Sequence, residues 1–459
     1  MPRRVYIETL GCQMNVLDSE LLGAALEDAG YELVGTRRLA DVVLLNTCSV
    51  RQHAEDKVYS ALGRLKHLKE QKPGTVIGVL GCMAQKDRER IFRRAPHVDL
   101  VVGPGQLGRV RELIEQAAAG ASPQMALSLD RTAGTRAEVA DSFARLDFAA
   151  PPRRPAATQA MVRAMFGCDN FCTYCIVPSV RGPEQCRPAG EIVAEVQRLA
   201  GEGCIEVTLL GQTVNSYADA GGGTTLRLSD LLEQLNEIGG LQRIRFVTNH
   251  PKYMTDDLLA AVRDLDRVCP YLHVPAQSGS DAILARMKRG YTAGYYRDML
   301  RRIYETIPGA AVTSDFIVGF CGETEADFQQ TADLVREGRF KNSFIFKYSP
   351  RPGTKAAELF ADDVPEEVKR RRNNELLALQ NAISLEDNRR LIGRRVEVLV
   401  EGPSKTARKR GETGDLRQLV GRTACDRIVV FNGPTSLTGR LAEVEIDRAE
   451  PVTLFGRLP

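Results

Sequence analysis

The chain has 459 residues, 43% hydrophobic and 26% charged, with 62 Lys and Arg against 59 Asp and Glu for a net charge of +3. At roughly 100–200 residues per domain, this length allows two to four domains with ample buried core, which excludes a small disulfide-stapled scaffold. The start carries Arg3, Arg4 and Glu8 with no long apolar stretch, and no window reaches the ~18 apolar residues of a membrane span, so a cytoplasmic chain with no membrane partner is expected.

Over residues 1–119, short β-branched runs alternate with amphipathic stretches. The order is VYIETL, a helix around Ser19 to Ala29, DVVLLNT, a long helix from about Arg51 to Gln71, TVIGVLG, a basic helix near Asp87 to Arg94, then VDLVVG. Strands alternating with helices imply a parallel sheet with right-handed crossovers, so an open parallel α/β domain is expected. Residues 120–156 lose this periodicity and are rich in Ala, Gly, Ser, Thr and Pro, with Pro151, Pro152 and Pro155 stiffening the end. They read as a linker.

Within a second domain expected over 157–387, alternation resumes from Thr158 to about Pro350, where MVRAMFG, IEVTLLG, RIRFVTN, YLHVPA, VTSDFIVGF and NSFIFKYS are strand candidates separated by helical stretches. About six βα units suffice for a partial (β/α)6 barrel, whose chemistry sits at the C-terminal strand ends; an open doubly wound sheet is the alternative. A charged helix from Pro365 to about Arg390 leads into residues 388–459. There RRVEVLVEG, QLVGRT, RIVVFNG, LAEVEID and VTLFGRL read as a small antiparallel β-barrel. This tail holds 14 basic and 9 acidic side chains, with Lys405, Arg408, Lys409 and Arg410 close together. Such a patch suits a polyanion, or is a solvated charged face.

Eleven cysteines, an odd number, in a chain expected in a reducing compartment argue against structural disulfides. Cys186, Cys204, Cys269, Cys321 and Cys425 read as small buried apolar residues. Cys168, Cys172 and Cys175 form CxxxCxxC within FGCDNFCTYCIVPSVRGPE, directly after a predicted strand. Three thiolates on one short loop can converge on one metal centre. Closed zinc sites want four ligands, and no second CxxC or HxxxH follows nearby, whereas a [4Fe–4S] cluster on three cysteines keeps one iron open for a substrate or cofactor. Zinc and inert thiols remain the alternatives.

Cys12, Cys48 and Cys82 are scattered in the chain, yet each lies at or just past the C-terminal end of a predicted strand. In a parallel sheet those ends share one edge, so the three are expected to face a common point, with chance placement as the alternative. Gln212, at the end of VTLLGQ, and Gln277, in PAQSGS, are strand-end candidates for a cofactor pocket, or structural glutamines. Acid–base catalysis is poorly supported by five histidines: His53, His67 and His97 fall on predicted surfaces, and His250 and His273 near strand ends suit core or rim roles.

The CxxxCxxC spacing resembles that of radical S-adenosylmethionine enzymes, with Tyr174 at the aromatic position of their motif. Beyond it, GCQMNVLDSE, NTCSVRQHAEDKVYSALG, GCMAQ, CDNFCTYCIVPSVRG, VTLLGQTVNSY, PAQSGS and YSPRPGT resemble blocks of the methylthiotransferases, along nearly the whole chain. The branch resembled is the tRNA 2-methylthio-N6-isopentenyladenosine synthases, the MiaB type. The resemblance implies two [4Fe–4S] clusters, an auxiliary one on Cys12, Cys48 and Cys82 and a radical one on Cys168, Cys172 and Cys175. It also implies S-adenosylmethionine as cofactor, a TRAM RNA-binding module at 388–459, and no catalytic residue beyond the cluster ligands. The implied reaction adds a methylthio group at C2 of the modified adenosine at position 37. The implied partners are the tRNA anticodon stem-loop, an electron donor such as flavodoxin or ferredoxin, and a sulfur source, with the chain acting as a monomer.

Thr213, where this branch usually shows Asn, Cys321, where it usually shows Pro, and Cys186 depart from the pattern without touching an expected ligand. Related chemistry on a ribosomal-protein aspartate or on threonylcarbamoyladenosine is the nearest alternative. An RNA-binding protein with one zinc or iron–sulfur site is the non-enzyme one.

Overall fold

The computed structural model describes residues 3–49, 52–121, 123–128, 137–142, 158–221 and 223–459, with backbone alone at 52–54. The chain forms two compact units, Met1–Pro155 with Met165–Gln185, and Ala156–Ala164 with Cys186–Pro459.

The first unit is built on strands β1 (Arg4–Leu10), β2 (Glu32–Leu33), β3 (Val42–Thr47), β4 (Val76–Gly81), β5 (Leu100–Val102) and β6 (Gln124–Ala126). They pair in the order β2-β1-β3-β4-β5-β6, and every pair is parallel. All six residues of β3 and of β4 are buried, as the continuous apolar runs of an inner parallel strand require. Side chains alternate across β3: Val42 and Leu44 join the core under helix α1 (Gln13–Asp28), while Val43 and Leu45 join the core under helix α2 (Gln52–Gln71). Within 120–156, where the sequence suggests a linker, β6 adds an edge strand to the sheet and residues 137–142 are helical, with Val139 in the core. Residues 122, 129–136 and 143–156 of that segment lie outside the described residues.

The second unit contains six parallel strands that follow one another in chain order: β7 (Gln159–Arg163), β8 (Glu206–Leu210), β9 (Arg243–Phe246), β10 (Tyr271–His273), β11 (Ala311–Val318) and β12 (Asn342–Lys347). A bridge from Ile244 in β9 to Val268, just ahead of β10, links the two sets of three strands, giving the open-walled (β/α)6 arrangement. One apolar core unites strands and surrounding helices. A long helix, Glu366–Arg389, closes the last strand through Gln380, which donates to Phe340 O at 2.7 Å and accepts from Ser343 Oγ at 2.8 Å.

The same unit ends in a closed barrel of β13 (Arg395–Pro403), β14 (Leu416–Thr423), β15 (Ile428–Pro434), β16 (Leu441–Ala449) and β17 (Thr453–Arg457). The sequence suggests an antiparallel barrel; four neighbouring pairs are antiparallel, and β15 and β17 pair in parallel. Alternation along a strand is the same in either direction, so the period cannot announce this exception. The barrel is tied to the six strands by buried charges. Arg243 donates to Arg422 O at 2.8 Å and to Glu397 Oε1 at 2.9 Å, and Arg245 donates to Thr423 O at 2.7 Å and Ala424 O at 2.9 Å.

Candidate functional site

Sheet register fixes the first cluster of cysteines. Leu10 pairs with Thr47 and Thr47 with Gly81, so β1, β3 and β4 end level with one another. Cys48 and Cys82 follow those ends directly, and Cys12 follows one residue on, after Gly11. Cys12 caps α1, and Cys82 opens the short helix α3 (Cys82–Asp87).

Buried amides stitch the three turns together. Cys12 Sγ donates to Asn15 Oδ1 at 3.2 Å; Asn15 Nδ2 donates to Asn46 Oδ1 at 3.0 Å and to Thr47 O at 3.3 Å. Thr47 Oγ1 donates to Leu80 O at 2.6 Å, reaching the third turn. Gly81 has φ +89, and a Cβ there would stand 2.5 Å from both Asn46 Oδ1 and Thr47 O. Only glycine allows that backbone and that approach together.

The thiols feel one another's charge and that of a cation. Cys12 is lowered to about 5, first by its hydrogen bond with Cys48, with burial opposing and Arg181 assisting. Burial raises Cys82, while Arg181 opposes the rise. Burial alone would lower Arg181, yet Cys82, Asp18 and Cys12 drive it upward. The guanidinium is anchored through Nη2, which donates to Asp18 Oδ2 at 3.0 Å; both side chains are buried.

The CxxxCxxC loop belongs to this same unit. Cys172 is buried, and Cys168, Tyr174 and Cys175 are half-buried. The loop closes on itself: Cys168 N–H donates to Gly182 O at 3.2 Å and Cys175 N–H to Cys172 O at 3.0 Å. Gly167, with φ +76, precedes the first cysteine, and a Cβ there would fall 2.0 Å from Pro183 O. A five-residue helix, Val177–Arg181, follows Cys175, and Ile176 and Val180 pack against Cys82.

Among the described residues, no three Cys, His, Asp or Glu side chains are gathered as tightly as the ligands of a single metal ion. A cube-shaped cluster carries its irons on separate corners and asks for thiols around a shared volume instead. The early trio fits that demand in chemistry: all three cysteines stand outside any disulfide, Cys12 is held below the usual thiol range, and a buried cation faces them. Arg181 Nη1 is buried without a hydrogen-bond partner among the described residues, a donor that a sulfide-rich anion would satisfy.

Gln212 and Gln277 lie in the other unit, just past β8 and β10. Gln212 Oε1 is buried without a hydrogen-bond partner among the described residues. Gln277 has φ +70, and its backbone bridges to β11 through Asp315 O and Ile317 N. Such a conformation is costly for a non-glycine residue. Of the five cysteines read as buried apolar residues, Cys204, Cys269 and Cys321 are buried, whereas Cys186 and Cys425 are half-exposed. Cys186 Sγ accepts from Ala218 N–H at 3.4 Å. His97, expected at a surface, is half-buried with Nε2 2.8 Å from Leu62 O. Asp18 and Arg181 escape a reading that looks for ligands, although each lies inside a block that carries the family resemblance.

Residues 4–103 match the family described as Uncharacterized protein family UPF0004, 162–335 the Radical SAM superfamily, and 389–458 the TRAM domain. The tRNA-2-methylthio-N(6)-dimethylallyladenosine synthase of Rhodopirellula baltica is 56% identical over 100% of this chain and 96% of its own. That of Moorella thermoacetica is 45% identical over 98% and 97%. Among solved structures, the radical S-adenosylmethionine methyltransferase TsrM from Kitasatospora setae, with cobalamin and a [4Fe–4S] cluster bound, is similar in fold. Its TM-score is 0.53 at 14% identity, covering 78% of this chain and 77% of that one. Identity at this level along the full length shows that the chain belongs to the tRNA-2-methylthio-N(6)-dimethylallyladenosine synthase family of radical SAM methylthiotransferases.

Proposed function

We propose that this chain inserts a methylthio group at C2 of N6-isopentenyladenosine at position 37 of tRNA, with Cys168, Cys172 and Cys175 holding the radical cluster and Cys12, Cys48 and Cys82 the auxiliary one. What supports the reading is that three strand ends lie level in register, each with a cysteine at or just past it, in the unit that also holds the CxxxCxxC loop and the buried Arg181–Asp18 pair. When bound, the two [4Fe–4S] clusters and S-adenosylmethionine supply the radical chemistry and a site for sulfur.

The chain's own residues do the rest. Each trio of thiolates leaves one iron without a protein ligand, so small molecules can coordinate there. On this reading Tyr174, Gln212 and Gln277 are the candidates for binding S-adenosylmethionine. The base must leave its stack to react, at a cost of a few kcal/mol at most in a single-stranded loop. Lys405, Arg408, Lys409 and Arg410 stand exposed on the short barrel helix Lys405–Arg410, where they can contact phosphates without reading sequence. A flavodoxin- or ferredoxin-type electron donor and a sulfur source complete the reaction, and the chain works as a monomer in the cytoplasm. Among the described residues no helix is long and apolar enough to cross a membrane.

Nucleoside mass spectrometry of bulk tRNA from a strain lacking the gene tests this. The 2-methylthio nucleoside is expected to disappear and N6-isopentenyladenosine to accumulate in its place. An unchanged 2-methylthio level would overturn the substrate assignment.

A further inference from the structure

Ligation by cysteine does not by itself require a full positive charge sealed beside the early thiols. Arg181 and Asp18 are separated by 163 residues, yet they form a 3.0 Å ion pair with side chains 3% and 0% exposed. Burying two charges costs several kcal/mol per ion, and a well-packed apolar pair is often as stable. Stability alone therefore does not explain the pair. Its position offers a reason. Arg181 ends the helix that follows Cys175, the same segment presses Ile176 and Val180 on Cys82, and the next residue, Gly182, accepts from Cys168 N–H. One short segment is thus fastened to the CxxxCxxC loop at both ends, through the chain after Cys175 and through Gly182, and brings a guanidinium to the auxiliary thiols.

We propose that Arg181, oriented by Asp18, is a positioning residue that sets the charge around the auxiliary [4Fe–4S] cluster and thereby its reduction potential. This rests on the ligand assignment proposed above. Cluster potentials follow net charge, hydrogen bonds to sulfur and solvent exposure. Reduction adds negative charge, and at low dielectric a nearby guanidinium favours that state strongly while a carboxylate opposes it. Arg181 raises the potential, and Asp18 both orients the cation and moderates its effect.

The test uses the full chain carrying Cys168→Ala, Cys172→Ala and Cys175→Ala, so that only the auxiliary centre remains. Iron and sulfide analysis after anaerobic reconstitution asks first whether that centre forms; its absence overturns the ligand assignment, and this proposal with it. Where it forms, a redox titration followed by electron paramagnetic resonance reads the midpoint. Arg181→Gln is expected to shift the midpoint down, Asp18→Asn to shift it up, and Arg181→Lys to leave it near the parent value. Opposite shifts from two substitutions that break the same pair separate charge from packing, because packing damage moves both the same way. Should Arg181→Gln lose its iron, the upward shift of the nearly isosteric Asp18→Asn still decides. An unmoved midpoint in Asp18→Asn, or shifts of one sign in both variants, overturns the proposal.

Discussion

Asn15 and Asn46 are both fully buried and lock onto each other: Asn15 Nδ2 donates to Asn46 Oδ1 at 3.0 Å, and Asn46 Nδ2 donates back to Asn15 O at 2.9 Å. Asn46 Nδ2 also donates to Ser19 Oγ at 2.9 Å. The first turn of α1 and the end of β3 are therefore held in a single geometry, and Cys12 and Cys48 flank it. Asn46→Ala leaves buried donors and acceptors unmet, at about 1–3 kcal/mol. A lower urea midpoint is expected, together with a fall from about eight to about four irons per chain as the auxiliary centre is lost and the CxxxCxxC centre remains. Full iron retention would show that the amide lock is dispensable for assembly.

The two cysteine sets are expected to fail differently. Cys12→Ala should keep reductive cleavage of S-adenosylmethionine and abolish the methylthio product, whereas Cys172→Ala should abolish both. Liquid chromatography of 5′-deoxyadenosine and of digested tRNA reads the two outcomes side by side. Normal product from either variant would refute the division of labour.

Glu206 is buried, with its carboxylate 3.0 Å from Arg245 Nε. Arg245 also donates to two carbonyls of the terminal barrel. Arg245→Met removes the nearer of two guanidinium groups facing that carboxylate, leaving Arg243 Nη1 at 3.9 Å, and cuts both links to the barrel, at about 1–3 kcal/mol. Limited proteolysis should then release the 388–459 module well before the six-stranded core is cut. Wild-type resistance in the variant would mean that apolar contacts alone hold the barrel in place.

His250 is lowered from its ordinary 6.5 to about 3, chiefly by burial and then by the charges of Arg289 and Lys252. Its Nδ1 accepts from Lys252 N–H at 3.3 Å, which puts the proton of the neutral ring on Nε2. The unfolded chain binds a proton below about 6.5 and the folded one refuses it until about 3, so stability contributed by this ring falls as pH drops through that window. The loss between pH 7 and pH 5 is about 2 kcal/mol. His250→Asn should lack this component, so the gap between the two proteins' urea midpoints should narrow or reverse on acidification. A gap independent of pH would contradict it.

Much of the architecture is legible without coordinates because period carries it. The runs DVVLLNT and TVIGVLG announce inner strands, and their ends announce where Cys48 and Cys82 emerge; register then places Leu10, Thr47 and Gly81 level. Other features leave no local mark. Gln124–Ala126 is too short to show alternation and lies in a stretch rich in Ala, Gly and Pro. The parallel pairing of β15 and β17 has the same two-residue period as its antiparallel neighbours. Asp18 and Arg181 look like ordinary helix-surface charges until a pairing across 163 residues buries them. The barrel latch at Arg243 and Arg245 is hidden in the same way, since each lies on β9 and its partners lie in β13, β14 and the turn that follows. Tertiary electrostatics is what the one-dimensional pattern omits.

The first unit is built from two separate stretches of chain, the second being 165–185. A fragment cut at the apparent sequence boundary would keep Asp18 and lose the guanidinium it pairs with, so a buried carboxylate would lose that countercharge. Such a piece should misbehave in isolation, and adding the missing 165–185 peptide in trans, or grafting it through a permuted backbone, would be the rational route to a self-standing lobe.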